Sequence, residues 1–304
     1  KFRFLLDFFK HWETCNAARD ALDFYVVFSD ESNSTAFIDA WSRSGGNGTR
    51  VPWKALIAQD LSGKNPASWK KLDGLAQILD MSPERRYEFG LIMDAEIALN
   101  SCAGFAGLLG RLREKRAAGT WYGDRANRHG PSKARYAACA VSPRPPPGLE
   151  PKRASCGDPE VAARLSQQTS GFNVYTWWTD VPYVHMGTAR RMFESWAVTL
   201  GKSHIGRTTM VEAARSHLSS LPTPSEVSAS MGGGQNKSES LRNAGSAFEH
   251  LIYQLYTVAN EGFAVQDLTD KITGKGGIGE YFCGLGEEDK QVALKTIRPL
   301  WLPA

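Results

Sequence analysis

The chain has 304 residues, 42% of them hydrophobic and 22% charged, with a formal net charge of +4. That balance excludes a disordered or fibrous chain, and the length predicts burial of roughly 75% of the unfolded surface. The charge surplus comes from one stretch: between Asp124 and Arg153 seven basic residues stand against two acids, leaving the rest of the chain at −1. Cations confined to one loop, without an ordered face or a recognisable module, exclude a nucleic-acid-binding domain.

No apolar run approaches the roughly 18 residues that suggest a membrane span. The opening Lys1-Phe2-Arg3-Phe4-Leu5-Leu6-Asp7-Phe8-Phe9 mixes acid and base in a short apolar stretch, so it reads as an amphipathic helix and not as a signal peptide. Its apolar positions Leu5, Phe8, Phe9 and Trp12 fall on one face. The chain starts without Met, and an upstream segment is expected. Phe24-Tyr25-Val26-Val27-Phe28, bounded by Ser29-Asp30-Glu31, predicts a strand buried on both faces, as in a parallel sheet under helices. A helix around Ala36 to Trp41 follows.

Asn65-Pro66 predicts an N-cap with Pro at the first helical position. The helix it opens carries Trp69, Leu72, Ala76 and Leu79 along one stripe. After Ser82-Pro83, Tyr87 to Met93 predicts a second buried strand ending at Asp94-Ala95-Glu96, with a helix from Phe105 to Leu112 beyond. Alternation of this kind predicts an α/β fold, a mostly parallel sheet flanked by helices, in a single domain over 1–304.

Two segments interrupt the pattern. Residues 123–170 form a basic, Pro/Arg-rich insertion whose Ser142-Pro143-Arg144-Pro145-Pro146-Pro147-Gly148 no helix or central strand accommodates, and most of it is expected to be mobile. Residues 216–246, Ser-rich with Gly232-Gly233-Gly234, predict a flexible loop. Between them Val174 to Pro182 is expected to be extended, with a helix through Phe193 and Trp196 after it. A last ordered block starts near Ala247.

Five cysteines (Cys15, Cys102, Cys139, Cys156 and Cys283) contain no C-x-x-C pair, which leaves zinc-site and dithiol-redox readings without support. Asn33-Ser34-Thr35, Asn47-Gly48-Thr49 and Asn236-Lys237-Ser238 fit the N-glycosylation triplet, but a chain this rich in Ser and Thr yields such triplets by chance, so they lean only faintly towards a secretory route. Gly274-Lys275-Gly276-Gly277-Ile278-Gly279 fits G-x-G-x-x-G but is followed only by a short tail, and Gly201-Lys202-Ser203 lacks the first glycine of a P-loop; both read as turns.

Asp94 and Glu96 are the most informative residues. In an extended chain side chains two apart share a side, and ligands of open α/β sheets bind at the carboxyl ends of the strands. Two such carboxylates suit a hard cation, Mn²⁺ or Mg²⁺, that bridges protein to substrate phosphates. The alternative is that Asp94 caps the following helix and Glu96 faces water. Trp177 and Trp178 offer rings on which sugars stack, with Asp180 as a general base, or they pack in the core. Lys70 and Lys71 meet a diphosphate or form a solvated face.

A strand ending in Met93-Asp94-Ala95-Glu96, preceded by a helix bearing Trp69-Lys70-Lys71-Leu72, resembles the GT-A class of nucleotide-sugar-dependent glycosyltransferases. More narrowly, the succession Phe28-Ser29, Lys70-Lys71, Asp94-x-Glu96, Trp177-Trp178-x-Asp180-x-Pro182 and Phe248-Glu249-His250 with Tyr253 resembles a poorly characterised glycosyltransferase-like family. The resemblance implies a GT-A-like (Rossmann-like) fold and metal-dependent transfer of a sugar from a nucleotide-sugar donor to a glycan or other hydroxyl acceptor. It implies a metal held by Asp94, Glu96 and, as third ligand, His250. Lys70, Lys71 and Trp178 would bind substrate, and Asp180, or else Glu249, would do acid/base work. Two features depart from the pattern: the chain opens on a helix where GT-A folds begin with a strand, and the insertion after Trp121 is large. They favour the rival reading, a non-catalytic interaction subunit that uses the basic loop as a docking arm; a metal-dependent phosphate-ester hydrolase is a weaker rival. Location is expected in the Golgi or secretory lumen if an N-terminal anchor precedes the chain, and in the cytoplasm otherwise.

Overall fold

The computed structural model describes residues 2–15, 22–48, 50–58, 66–81, 87–123, 141, 159–169, 183–199, 209–220, 249–267 and 295–299. Helix α1 (Arg3–Glu13) buries Phe8, Phe9 and Trp12, the face expected from the sequence. Strand β1 (Tyr25–Phe28), helix α2 (Glu31–Arg43) and strand β2 (Lys54–Ile57) then form a strand–helix–strand unit in which β1 and β2 pair in parallel, Tyr25 opposite Lys54 and Phe28 opposite Ile57. Within β1 only Phe28 is fully buried, so the burial on both faces expected of this run is not reached. The Tyr25 hydroxyl lies 3.0 Å from that of Tyr87 and 3.4 Å from Lys54 Nζ, which holds that end of the strand near the surface. Asp30 caps α2, accepting the Asn33 N–H at 2.7 Å.

Helix α3 (Pro66–Met81) begins at its proline, and Trp69, Leu72, Ala76 and Leu79 are all buried. Strand β3 (Phe89–Leu91) pairs antiparallel with β6 (Tyr183–His185), and β4 (Ile97–Leu99) antiparallel with β8 (Ile297–Pro299). Helix α4 (Gly104–Ala118) leads into β5 (Thr120–Gly123), which pairs in parallel with β7 (Ala264–Asp267). The remaining helices are α5 (Pro159–Thr169), α6 (Met186–Thr199), α7 (Met210–Ser220) and α8 (Glu249–Asn260). Among the described residues this is a mixed helix-and-sheet fold, loosely α/β, with small two-stranded ladders, two parallel and two antiparallel.

Three expectations change in detail. The second strand is confined to Phe89–Leu91 and half-buried, paired over that length with Tyr183–His185 of β6. Helix α5 falls inside the stretch read as an insertion and buries Val161 and Leu165. Helix α7 runs to Ser220 with His217 and Leu218 buried, so the Ser/Gly-rich loop does not begin at 216. No helix among the described residues is long and apolar enough to cross a membrane.

Two acids of α3 dock α7. Asp73 is 0% exposed and accepts Arg215 Nε at 2.6 Å, Arg215 Nη2 at 3.0 Å and Gln77 Nε2 at 2.8 Å. Asp80, two turns on, accepts the Met210 and Val211 N–H groups at 2.8 and 3.0 Å and so satisfies the first turn of α7. Between them Gly74 lies against β1: a Cβ there would stand 2.5 Å from Val27 Cγ2. Asp73→Ala leaves Arg215 partly buried without its carboxylate, and the expected cost in urea unfolding is about 3 kcal/mol. Asp73→Leu combined with Arg215→Met should recover most of that loss; an Asp73→Ala protein as stable as wild type would show that the pair does not hold the helices.

Candidate functional site

Parallel pairing of β1 and β2 across α2 puts the carboxyl ends of both strands, the N-terminus of α2 and the start of α3 at one edge. Lys70 and Lys71 lie in the second turn of α3. Lys70 Nζ donates to Ser29 Oγ, just past β1, at 2.5 Å. Lys71 Nζ pairs with Asp94 Oδ1, just past β3, at 2.8 Å. Ser29, Lys70, Lys71 and Asp94, drawn from three of the expected motifs, are therefore brought together at the carboxyl ends of β1 and β3. Side-chain exposure separates the ion-paired groups: Lys71 is 19% exposed and Asp94 59%, so the cation is shielded and the carboxylate open.

Asp94 and Glu96 are both exposed and sit in the link between β3 and β4, with a bend at Ala95 and Glu96. The strand alternation expected to align them stops at Leu91. A cap role for Asp94 is also ruled out, since β4 intervenes and the N-cap of α4 is Ala103. Two exposed carboxylates, of which Asp94 is paired with Lys71, match in donor chemistry a cation that completes its shell with substrate phosphates. Among the described residues no group of three or more His, Cys, Asp or Glu is placed to hold a metal. Glu249 and His250 open helix α8, but their side chains lie outside the described residues, as do Trp177, Trp178 and Asp180 altogether.

A second polar cluster, which the sequence reading did not find, lies at the other end of β3. Glu261, its side chain 10% exposed, pairs with Arg116 at 2.6 Å, accepts Arg191 Nε at 3.1 Å and accepts the Thr188 hydroxyl at 3.0 Å. Thr188, fully buried, donates its N–H to His185 Nδ1 at 3.3 Å, and the His185 N–H donates to the Tyr253 hydroxyl at 2.9 Å. Burial pushes the Glu261 carboxyl up, but the hydrogen bonds from Arg191 and Thr188 and the charge of Arg116 outweigh it and hold it below its ordinary value. Burial pushes the Tyr253 phenol up to about 12. Burial first, then the charges of Arg116 and Arg191, hold His185 below its ordinary value. With Nδ1 accepting, the imidazole is neutral in the fold. The cluster ties α4, β6, α6 and α8 together, and its partners are too far apart in sequence (73 residues for Thr188 and Glu261) to leave a local signal.

No protein-family model, no curated protein and no solved structure matches the chain. The resemblance therefore rests on the residues named above.

A neutral His185 contributes stability that is fully present above the unfolded-state value of about 6.5 and is lost as pH falls through the lower folded-state value. Urea midpoints measured on either side of that window should fall on acidification, and His185→Gln should flatten that part of the profile. An unchanged pH dependence in the variant would remove His185 from the account. At the other end, Lys71→Met should change stability by about 1 kcal/mol at most, as expected for a half-exposed pair; a larger loss would make Lys71 a core residue.

Proposed function

We propose that the chain is a GT-A-like glycosyltransferase that moves a sugar from a nucleotide-sugar donor to a hydroxyl acceptor, with the diphosphate of the donor seated at the carboxyl ends of β1 and β3. The observation that carries this reading is the convergence of Ser29, Lys70, Lys71 and Asp94 at one strand edge. Two ammonium groups held in the second turn of a helix, beside an open carboxylate, suit a nucleoside diphosphate bridged to the protein by a divalent cation. Asp94 and Glu96 would hold Mn²⁺ or Mg²⁺, which when bound neutralises the charge that develops on the departing diphosphate.

The chain's own residues divide the remaining work. Lys70, kept in place by Ser29, presents a fixed positive charge to phosphate oxygens. Lys71 balances Asp94 until a ligand arrives and can then turn to the diphosphate. From the resemblance alone, His250 adds a third ligand, Trp178 a sugar platform, and Asp180 or Glu249 the base that takes the acceptor proton. The Cys15–Cys102 disulfide, Cα atoms 5.7 Å apart, supports a secretory or Golgi lumen as the place of action, since such bonds persist in oxidising compartments.

The Lys71–Asp94 pair also favours a second reading. A carboxylate already neutralised by an ammonium group needs no metal, as in an interaction subunit that has kept the fold without the activity. A thermal-shift panel of nucleoside diphosphates with and without Mn²⁺ separates the two. The transferase is stabilised by about 2.7 kcal/mol at a hundredfold excess over Kd, and only with metal. Asp94→Asn with Glu96→Gln should abolish that response while the unliganded protein still melts cooperatively. Absence of any response in the wild type would favour the interaction subunit, and a full response in the double variant would place the site elsewhere.

A further inference from the structure

We infer that the Lys71–Asp94 pair is an autoinhibitory contact: Lys71 masks Asp94 from a divalent cation until a diphosphate, seated as proposed above, draws the ammonium group away. The two groups come from separate elements. Lys71 stands in the second turn of α3, and Asp94 in the link that joins β3 to β4. Their charged atoms lie 2.8 Å apart, the separation of a charge-assisted hydrogen bond in which an ammonium proton is directed at Oδ1.

Exposure makes the pair asymmetric. The Lys71 side chain is 19% exposed and that of Asp94 59%, so the ammonium group covers the carboxylate from the protein side. Placing a divalent cation on Asp94 sets a second positive centre beside a shielded one, and like charges repel most strongly where water is scarce. Glu96, two residues on, is exposed and has no ion pair among the described residues. Of the two carboxylates proposed for the cation, one is thus open from the start and the other is covered.

Lys70 completes the contrast. It rests on the neutral hydroxyl of Ser29, so its charge stays available to an anion while that of Lys71 is engaged. Phosphate oxygens drawn to Lys70 arrive beside Lys71 and offer its ammonium group a replacement for Asp94. The carboxylate is then released for the cation. By linkage, diphosphate and cation each raise the other's affinity by the same factor, and the chain without nucleotide holds the cation weakly.

A diphosphate also chelates metal in free solution, so the contact is read from the metal alone. Mn²⁺ is titrated into the full chain without nucleotide and followed by loss of the electron spin resonance signal of the free ion. Lys71→Met should bind about tenfold more tightly than the wild type, a gain within the usual range of coupling factors. Lys71→Arg keeps the pair and should bind as weakly as the wild type. Lys70→Met removes an equal charge from the neighbouring residue but leaves Asp94 covered, so it should gain much less. Adding Asp94→Asn to Lys71→Met should cancel the gain.

No gain in Lys71→Met, an equal gain in Lys70→Met, or a gain that survives Asp94→Asn would each overturn the inference. Failure here is distinct from failure of the transferase reading. A metal-dependent response of the wild type to nucleoside diphosphate, with no gain in Lys71→Met, keeps the donor seat and removes the gate. A gain in Lys71→Met, in a wild type indifferent to nucleoside diphosphate, supports the masking of Asp94 and removes the donor seat.

Discussion

Asp73 carries a carboxylate into the core, where the Arg215 guanidinium and the Gln77 amide take up its oxygens. A buried charge of this kind is costly unless fully partnered, so it fixes geometry more than it adds net stability. Here it fixes the rotation of α3 about its axis. Asp73 and Asp80 lie two turns apart and address a single partner helix, one through a side-chain pair and one through the backbone of its first turn. Gly74 then brings α3 against Val27 of β1 at a distance no larger residue permits. With rotation and separation both set, Lys70 and Lys71 have one place to go: the strand ends occupied by Ser29 and Asp94.

The aromatic core supports that arrangement from two sides. Around α1 and β1, the Trp53 ring lies 4.7 Å from that of Phe9 and 4.6 Å from that of Phe37, and Trp12 meets Phe24 edge-on at 4.7 Å. Around β5 and β6, the Trp121 ring packs on Tyr183, Tyr253 and Phe263, and its indole N–H finds the Thr257 hydroxyl at 2.8 Å inside the core. The polar cluster centred on Glu261 closes the far end of β3 and β6. The cluster thus fastens the fold at the end away from the candidate site.

Local signals in the sequence carried the helices. The stripe Trp69, Leu72, Ala76, Leu79 and the face Phe8, Phe9, Trp12 are buried as their spacing requires, and Pro66 starts its helix. Short strands were harder to read. Lys54-Ala55-Leu56-Ile57 shows too little alternation to stand out, and β3 is shorter than the apolar run around it. Helix α5 was hidden by the proline-rich composition before it, and the last turns of α7 by the serines that follow. The order of motifs assigned Lys70, Lys71 and Asp94 to one ligand but gave Ser29 no role, and the Lys71–Asp94 pair was not foreseen. An i, i+2 argument addresses one strand, and the pair joins a helix to a strand end. Contacts such as Asp73–Arg215, 142 residues apart, leave no pattern in a single chain.

The central claim is that the carboxyl edge built by α3, β1 and β3 receives a nucleoside diphosphate and its cation. The most direct measurement is anomalous scattering from crystals grown with Mn²⁺ and a nucleoside diphosphate. The account predicts a manganese peak in direct coordination with Asp94 and Glu96, diphosphate oxygens beside Lys70 and Lys71, and the Lys71–Asp94 pair broken or lengthened. A diphosphate bound elsewhere, or crystals in which Lys71 still holds Asp94 with no metal beside it, would contradict it.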